Sequence, residues 1–485
     1  MPFPTDPGVP MPEATGPPRS DGRRRRYALT AMGCAGGMIM LDQTVVAVAL
    51  GPMARGLGLT TWVLHRVVLV YVLALSAFAP VGGAVARRFG LLATFRAGIV
   101  LFALASGACG LTPPGEEAAP FLLLMRAVQG AGAGLMIPVA TTVITNLYAE
   151  HERGRALALY AGLAQVFFAL GPVAGAVLTQ YLGWRSVFPA NVPVAAAALW
   201  LAAGARVEDG PRGRPVGLLQ ALVVIPSVAA LVLALYQCGI WGFGDPRTPA
   251  ALTAALLAPA LAVRLVLRSP EPLVDLRLLR IRPYAVATAL TFLVQGPQLI
   301  VLVHGTLFLR QAMHLPPLST GLCLLPLVGA LTTGTLLSGY LLDRYRSVRI
   351  PVLLGLAAAV LGAALWTLAL PSREYAGQVP GMLLAGIGMG MPVPALSAEL
   401  MRAVPREARA DASVLRQTLR QLGGAVGLAV AGALVLAAND DTADAAGIVT
   451  ATATPVAFVT ACAFLCAALL LASTALPGAR PRRAG

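Results

Sequence analysis

The chain contains no lysine, and this absence excludes several mechanisms at once. All 36 of its lysine and arginine residues are arginine. A phosphate-binding loop of the type Gly-x-x-x-x-Gly-Lys-Ser/Thr needs its lysine, so ATP hydrolysis through such a loop in this chain is excluded. Catalysis through a lysine Schiff base is excluded for the same reason.

Charged residues are scarce as well, at 12% of 485 residues, whereas 57% are hydrophobic. An ordinary soluble domain carries about 25% charged residues. The mean hydropathy is +0.77. Apolar stretches of about 20 residues, the length that crosses a bilayer, recur from Tyr27 almost to the C-terminus. Most of the chain is therefore predicted to lie in lipid.

No constellation typical of an enzyme or a metal site is visible. The six cysteines lie in or at the edges of apolar segments, without metal-ligand spacing, and we interpret them as free thiols that fill space. Ser/His/Asp and Cys/His arrangements are lacking too. The sequence therefore predicts neither an enzyme nor a metal or cofactor site.

The apolar runs predict fourteen transmembrane helices. The predicted spans are 27-50, 63-86, 93-111, 120-142, 156-182, 187-205, 215-239, 249-267, 284-309, 318-342, 350-370, 379-400, 415-438 and 454-476.

The net charge of +15 reflects topology and not a nucleic-acid partner. Arginines concentrate in the tails and in the even-numbered gaps between spans. Because arginine collects in cytoplasmic loops, both termini are predicted to be cytoplasmic. Heavy use of Ala, Gly, Pro and Arg is typical of a GC-rich bacterial genome, so we expect a bacterial plasma (inner) membrane.

An internal repeat divides the chain into two halves. Gly83–Phe89 follows the second span, and the similar stretch Gly339–Tyr345 follows the tenth. Duplicated halves around a central site are a common transporter architecture. The predicted organisation is a disordered cytoplasmic tail over 1-26, a six-helix bundle over 27-205, inserted helices 7 and 8 with cytoplasmic linkers over 206-283, a second six-helix bundle over 284-476 and a cytoplasmic tail over 477-485.

Three groups of residues resemble the signatures of one transporter family. They are Leu41–Leu50 in the first span, Leu122–Gly132 in the fourth, and Gly171, Pro172 and Gly175 in the fifth. The chain resembles the fourteen-span drug:proton antiporter family of the major facilitator superfamily over nearly its whole length. The resemblance implies an all-α membrane fold of two six-helix bundles plus two inserted central helices.

The resemblance also implies a function, which is multidrug efflux of the antibiotic-resistance type. We expect a proton-coupled secondary transporter that exports a small amphipathic compound by alternating access and works as a monomer in the lipid bilayer. An exporter of a lipid or endogenous metabolite is an alternative of the same fold. A membrane sensor that does not transport is a third reading.

Asp42 and Arg126 are the candidate proton-coupling residues. At ~1.5 Å per helical residue, both lie roughly 9 to 12 Å below the predicted outer surface. An acid that alternates between pairing with arginine and carrying a proton would offset the cost of burying a charge. A static ion pair that only orients two helices is the alternative, and a second is that the two side chains never meet.

The resemblance assigns gating to two regions. In the fifth span these are Gly171, Pro172 and Gly175, because small residues allow close packing and proline removes a backbone hydrogen bond. After the tenth span they are Gly339, Asp343 and Arg344, which resemble a loop that latches the two halves together; a solvated charge cluster is the alternative there.

Arg87 departs from the family pattern, because that position usually holds an acid. Asp343 is then the one acid of the duplicated pair, and we expect Asp343→Asn to impair transport more than Arg87→Ala.

Substrate-binding residues are not identified from the sequence. Five polar residues within the spans either line a cavity or satisfy a neighbouring helix, namely Gln165, Gln295, Gln298, His304 and Glu399. A structural role is favoured for the histidine and an interfacial position for Glu399.

Overall fold

The chain folds into α-helices joined by short connections, as a computed structural model shows. The structure describes residues 22–59, 61–148, 150–205, 207, 218–241, 245–269, 275–405, 408–438 and 453–476. The helices are α1 Gly22–Leu57, α2 Thr61–Phe89, α3 Leu91–Gly110, α4 Ala118–Leu147, α5 Glu150–Tyr181, α6 Asn191–Ala203, α7 Leu218–Trp241, α8 Arg247–Arg268, α9 Arg282–Gln311, α10 Pro317–Cys323, α11 Leu325–Tyr345, α12 Arg349–Ala369, α13 Tyr375–Gly390, α14 Pro392–Ala403, α15 Arg409–Ala437 and α16 Ala453–Ala475.

Thirteen segments within these ranges are long and apolar enough to cross a membrane. The helices α10 and α11 together make one of them, and α13 and α14 make another. The fourteenth predicted span coincides with α7, whose apolar stretch Val223–Leu235 is shorter. The prediction of an all-α integral membrane protein is therefore confirmed.

The helices pack as two groups with a pair between them. In the first group α1 packs on α5 and α6, while α4 packs on α2 and α3. In the second group α9 packs on α15 and α16, and α12 packs on α13 and α16. The inserted helix α7 packs on α8 and also contacts α2 and α15, so it lies where the two groups meet.

Large apolar side chains are exposed along the outer helix faces. Leu104, Trp200, Leu336, Leu368 and Leu470 each expose more than two thirds of their surface. A soluble protein rarely exposes so many large apolar groups on contiguous faces. These faces are therefore suited to contact with lipid.

The predicted disordered tail over 1-26 is too long, because α1 begins at Gly22. Arginine is a good helix former, which favours extending the helix beyond the apolar run. The Nε of Arg23 donates to the Tyr27 hydroxyl at 2.9 Å, and Arg25 pairs with Glu152 at 3.4 Å. Residues 1–21 and the predicted tail over 477-485 lie outside the described residues.

Candidate functional site

A buried ion pair joins α1 to α4 inside the first group of helices. The Nη1 of Arg126 donates to Oδ2 of Asp42 at 2.7 Å, and both side chains are 1% exposed. The sequence placed these two residues at similar depth, and the structure brings them into direct contact. Taking two charges out of water costs several kcal/mol per ion unless hydrogen bonds satisfy the remaining polar atoms.

The second carboxylate oxygen of Asp42 accepts two amide hydrogen bonds. Gln129 donates through Nε2 to Oδ1 at 2.9 Å, and Asn191 donates through Nδ2 at 3.2 Å. Both amides also donate to the Ser106 hydroxyl oxygen at 3.1 Å. The carboxylate is therefore held by amide donors from α4 and α6 in addition to the arginine.

Arg126 has further partners besides the carboxylate. Its Nη1 also donates to Oε1 of Gln129 at 2.6 Å, and its Nε donates to the Val67 carbonyl at 3.2 Å. The guanidinium lies 4.3 Å from the centroid of the Tyr71 ring, within the range of a cation–π contact. The arginine can thus keep several contacts when the carboxylate is neutralised.

Gly171 and Gly175 of α5 pack directly on α1. A Cβ at Gly171 would overlap the Thr44 side chain, and one at Gly175 would lie 2.9 Å from the Val45 carbonyl oxygen. Pro172 lies within the same helix, and its carbonyl contacts Gly321 of α10. The small residues therefore allow α5 to pack closely on α1 at Thr44, two residues after Asp42. The sequence alone could not show that these two helices are in contact.

Gly171→Ala should destabilise the protein by about 1–3 kcal/mol, because the added methyl has no space against Thr44. Gly162→Ala is the matched control, since a Cβ there meets nothing within 4 Å. Thermal unfolding of the purified variants measures the difference. Equal melting temperatures for the two variants would contradict this packing.

We call the side of the membrane at which α1 begins and α2 ends the basic face, because Arg23–Arg26, Arg87 and Arg88 lie there. The gating candidates Gly339, Asp343 and Arg344 are at this face, in the last turns of α11 and not in a loop as the resemblance implied. A Cβ at Gly339 would meet nothing within 4 Å. Asp343 and Arg344 are exposed, and the carboxylate makes no ion pair with any described side chain. Their gating role stays a prediction.

Arg87 has an acid nearby across the two groups of helices. It interacts electrostatically with Asp411, which lies in the first turn of α15. A Cβ added at Gly83 would lie 3.9 Å from Nη1 of Arg87 and 3.8 Å from a methyl group of Val414. The ends of α2 and α15 therefore lie side by side. An acid is favourable in the first turn of a helix.

At the face opposite the basic one, two histidines meet between the groups of helices. His65 of α2 stacks on His304 of α9, with ring centroids 5.0 Å apart and an interplanar angle of 29°. Both rings are buried, and neither nitrogen of His304 has a hydrogen-bond partner among the described residues. The sequence favoured a structural role for His304 and could not foresee its stacking partner from α2.

The two groups also close on each other nearer this opposite face. The Oε1 of Gln180 in α5 accepts the backbone N–H of Leu318 at 3.1 Å. A narrow cavity of about 20 Å³ remains midway along α1, α5 and α9, and it has room for about one water molecule. Its walls are formed by Met40, Gln43, Gln165, Phe168, Gln295, Gln298, Leu299, Leu302 and Arg420.

The chain is similar in sequence to known transporters, and a family model decides the classification. Residues 32–428 match the model described as Major Facilitator Superfamily. The chain belongs to the major facilitator superfamily. It is therefore a transporter by family and not an enzyme, as the sequence predicted.

Similar proteins are named for drug resistance or for antibiotic resistance and export. Multidrug resistance protein Stp of Mycobacterium tuberculosis (strain CDC 1551 / Oshkosh) is 31% identical over 418 residues, which cover 86% of this chain and 76% of that protein. The tetracenomycin C resistance and export protein of Streptomyces glaucescens is 29% identical, over 86% of this chain and 77% of its own. The recognition of a drug-exporter type of major facilitator protein is confirmed.

Solved structures of the superfamily share the fold. The xylose transporter XylE from E. coli, in a partially occluded inward open conformation, matches with a TM-score of 0.66 at 13% identity. The match covers 94% of this chain and 98% of that one. A bacterial homolog to the human lysosomal transporter Spinster matches with a TM-score of 0.63 at 17% identity. At this identity the likeness concerns the fold alone.

Sequence reasoning missed several residues of this site. Ser106 is a single hydroxyl in an Ala- and Gly-rich helix and carries no pattern of its own. Gln129 and Asn191 were visible only as parts of the family resemblance. Arg420 was given no role from the sequence, although its position one turn after Arg416 places both on one helix face.

Proposed function

We propose that the chain exports a small amphipathic drug or antibiotic-like compound in exchange for protons, by alternating access of the central cavity to the two sides of the membrane. The observation that carries the proposal is the buried ion pair between Asp42 and Arg126. Deep within the membrane, a charged pair that is never rearranged would be expensive relative to apolar packing. A carboxylate that exchanges a proton gives this pair a function.

In the proposed cycle Asp42 pairs with Arg126 when it is deprotonated and releases the arginine when it takes up a proton. Arg126 then keeps Gln129 and the Val67 carbonyl as hydrogen-bond partners. Gln43 follows Asp42 in α1 and lines the central cavity, while Thr44 packs against α5. A shift of α1 on protonation would therefore reach both the cavity and the helix that carries Gly171.

The proposal includes an orientation and a location. Both termini lie on the cytoplasmic side of a bacterial plasma (inner) membrane, because the basic face carries most of the arginines. The protein functions as a monomer, since each monomer holds a complete ion pair and cavity. Gly171, Pro172, Gly175, Gly339, Asp343 and Arg344 are proposed to take part in gating.

Flux measurements in everted vesicles against a panel of compounds test the proposal. A transported compound should accumulate when a pH gradient is imposed, and a protonophore should stop the accumulation. An exporter of a lipid or metabolite would show the same dependence with a different compound. Substrate binding without any flux would contradict the transporter and favour a sensor.

Arg87 and Asp411 are expected to act together as a latch at the basic face. Arg87→Ala and Asp411→Asn should each raise labelling of a cysteine placed at the basic end of the cavity, in a background without the native cysteines. An exposed ion pair is worth at most about 1 kcal/mol, so the change should be several-fold and not complete. The double variant should label no faster than either single variant, and additive effects would contradict the latch.

A further inference from the structure

Two arginines of α15, Arg416 and Arg420, lie one helical turn apart and face the space between the two groups of helices. Arg420 lines the central cavity. The hydroxyl of Tyr160 lies against α1 at Gly36. It is also close enough to both arginines to interact with them electrostatically. Because α15 begins at the basic face, Arg416 lies on the route from that face to the cavity.

Neither arginine has a carboxylate partner among the described residues. The Nε of Arg420 donates to Oε1 of Gln295 at 2.7 Å, which satisfies one of its five N–H donors. The Nε of Arg416 is buried and has no hydrogen-bond partner. Arg126, which is fully buried, is paired with a carboxylate, whereas these two partly buried arginines are not.

The rest of the cavity wall adds another free donor and no acid. Gln43 is 6% exposed, lines the cavity and has no acceptor for its Nε2. The lining residues include four glutamines and Arg420 but no aspartate or glutamate. The one deep carboxylate of α1, Asp42, points away from the cavity and is occupied by Arg126.

We infer that Arg420 and Arg416 form an anion-binding subsite, so that the exported compound is an amphipathic molecule with an acidic group such as a carboxylate. The inference rests on the proposed function, since it names the substrate class of the same cavity. Arg420 binds the anionic group in the cavity, and Arg416 attracts it on the way from the basic face. When the cavity widens in the proposed cycle, the apolar part of the molecule contacts Phe168, Leu299 and Leu302, which line the same cavity.

Binding to the purified protein tests this subsite without any transport measurement. Dansylglycine is an apolar fluorophore with a carboxylate, and dansylglycinamide is its neutral counterpart. Charge-assisted hydrogen bonds are about twice as strong as neutral ones, so the wild type should bind the acid at least about tenfold more tightly than the amide. Fluorescence enhancement in detergent solution measures both affinities.

Arg420→Gln should remove this preference and leave the affinity for the amide unchanged, which also shows that the variant is folded. Arg420→Lys keeps the charge and should retain part of the preference. Arg268→Gln is the matched control, because Arg268 is exposed in the last turn of α8 and has no role in the proposed cycle. Arg416→Gln should slow association of the acid more than it weakens its equilibrium binding.

Two further arms identify the source of the anionic group. If dansylglycine accumulates in everted vesicles, the anionic group belongs to an exported compound. If short-chain phosphatidylglycerol displaces dansylglycine in an Arg420-dependent manner and phosphatidylcholine does not, the anionic group belongs to a lipid headgroup. Any of three results overturns the subsite. Dansylglycine fails to bind, the acid and the amide bind with equal affinity, or Arg420→Gln leaves the preference for the acid unchanged. Selective binding without proton-driven flux would instead contradict the proposed function and leave the subsite standing.

Discussion

Asp42→Asn is expected to reduce efflux driven by a pH gradient to the level of vesicles without the protein. Asparagine has nearly the shape of aspartate but cannot exchange a proton, so the coupling step is lost. The variant should still fold, because Arg126 keeps the Val67 carbonyl and Gln129 as partners. Efflux is measured in everted vesicles with matched amounts of protein in the membrane.

Exchange of labelled for unlabelled compound, with no gradient imposed, is the control for Asp42→Asn. Exchange needs alternating access but no net proton movement, so the variant should retain it. If the variant kept gradient-driven efflux at the wild-type rate, Asp42 would not be the coupling residue. Loss of both activities with normal folding would favour a purely structural ion pair.

Arg126→Ala should destabilise the protein by about 3–5 kcal/mol, because it leaves the Asp42 carboxylate buried without its cation. The amide donors of Gln129 and Asn191 remain, but they do not neutralise the charge. Unfolding of the purified protein in a series of denaturant concentrations measures the loss.

The same substitution should be much less damaging when Asp42 is already asparagine. A double-mutant cycle with Asp42→Asn, Arg126→Ala and both together gives the coupling energy between the two side chains. Arg25→Ala is the matched control, since Arg25 pairs with the half-exposed Glu152 and such pairs contribute about 1 kcal/mol or less. A cycle with no coupling between Asp42 and Arg126 would contradict their energetic pairing.

The positions of the apolar helical spans could be predicted from sequence because a bilayer imposes one length and one polarity on every span. Each of the fourteen predicted spans overlaps a helix or a pair of helices. The boundaries were less accurate where arginine extends a helix beyond the apolar run, as at Gly22 in α1. The breaks between α10 and α11 and between α13 and α14 were not predicted, since hydropathy does not report local backbone geometry.

The site was predictable only where a single residue is conspicuous by itself. Asp42 and Arg126 are charges within apolar runs, and counting residues from the helix ends placed them at one depth. The contacts of Ser106, His65 and Arg420 depend on which helix faces which, and that arrangement is set by packing between residues far apart in the chain. The stacking of His304 on His65 was missed for this reason, because the two residues lie in different groups of helices.

Proton release on substrate binding tests the central claim most directly. The purified wild type is placed in weakly buffered detergent solution with a pH indicator, and a compound identified by the flux panel is added. If the substrate and the proton compete through Asp42, binding should release protons from the wild type, and Asp42→Asn should bind the compound without releasing them. Equal release by the two proteins, with equal binding, would contradict the account.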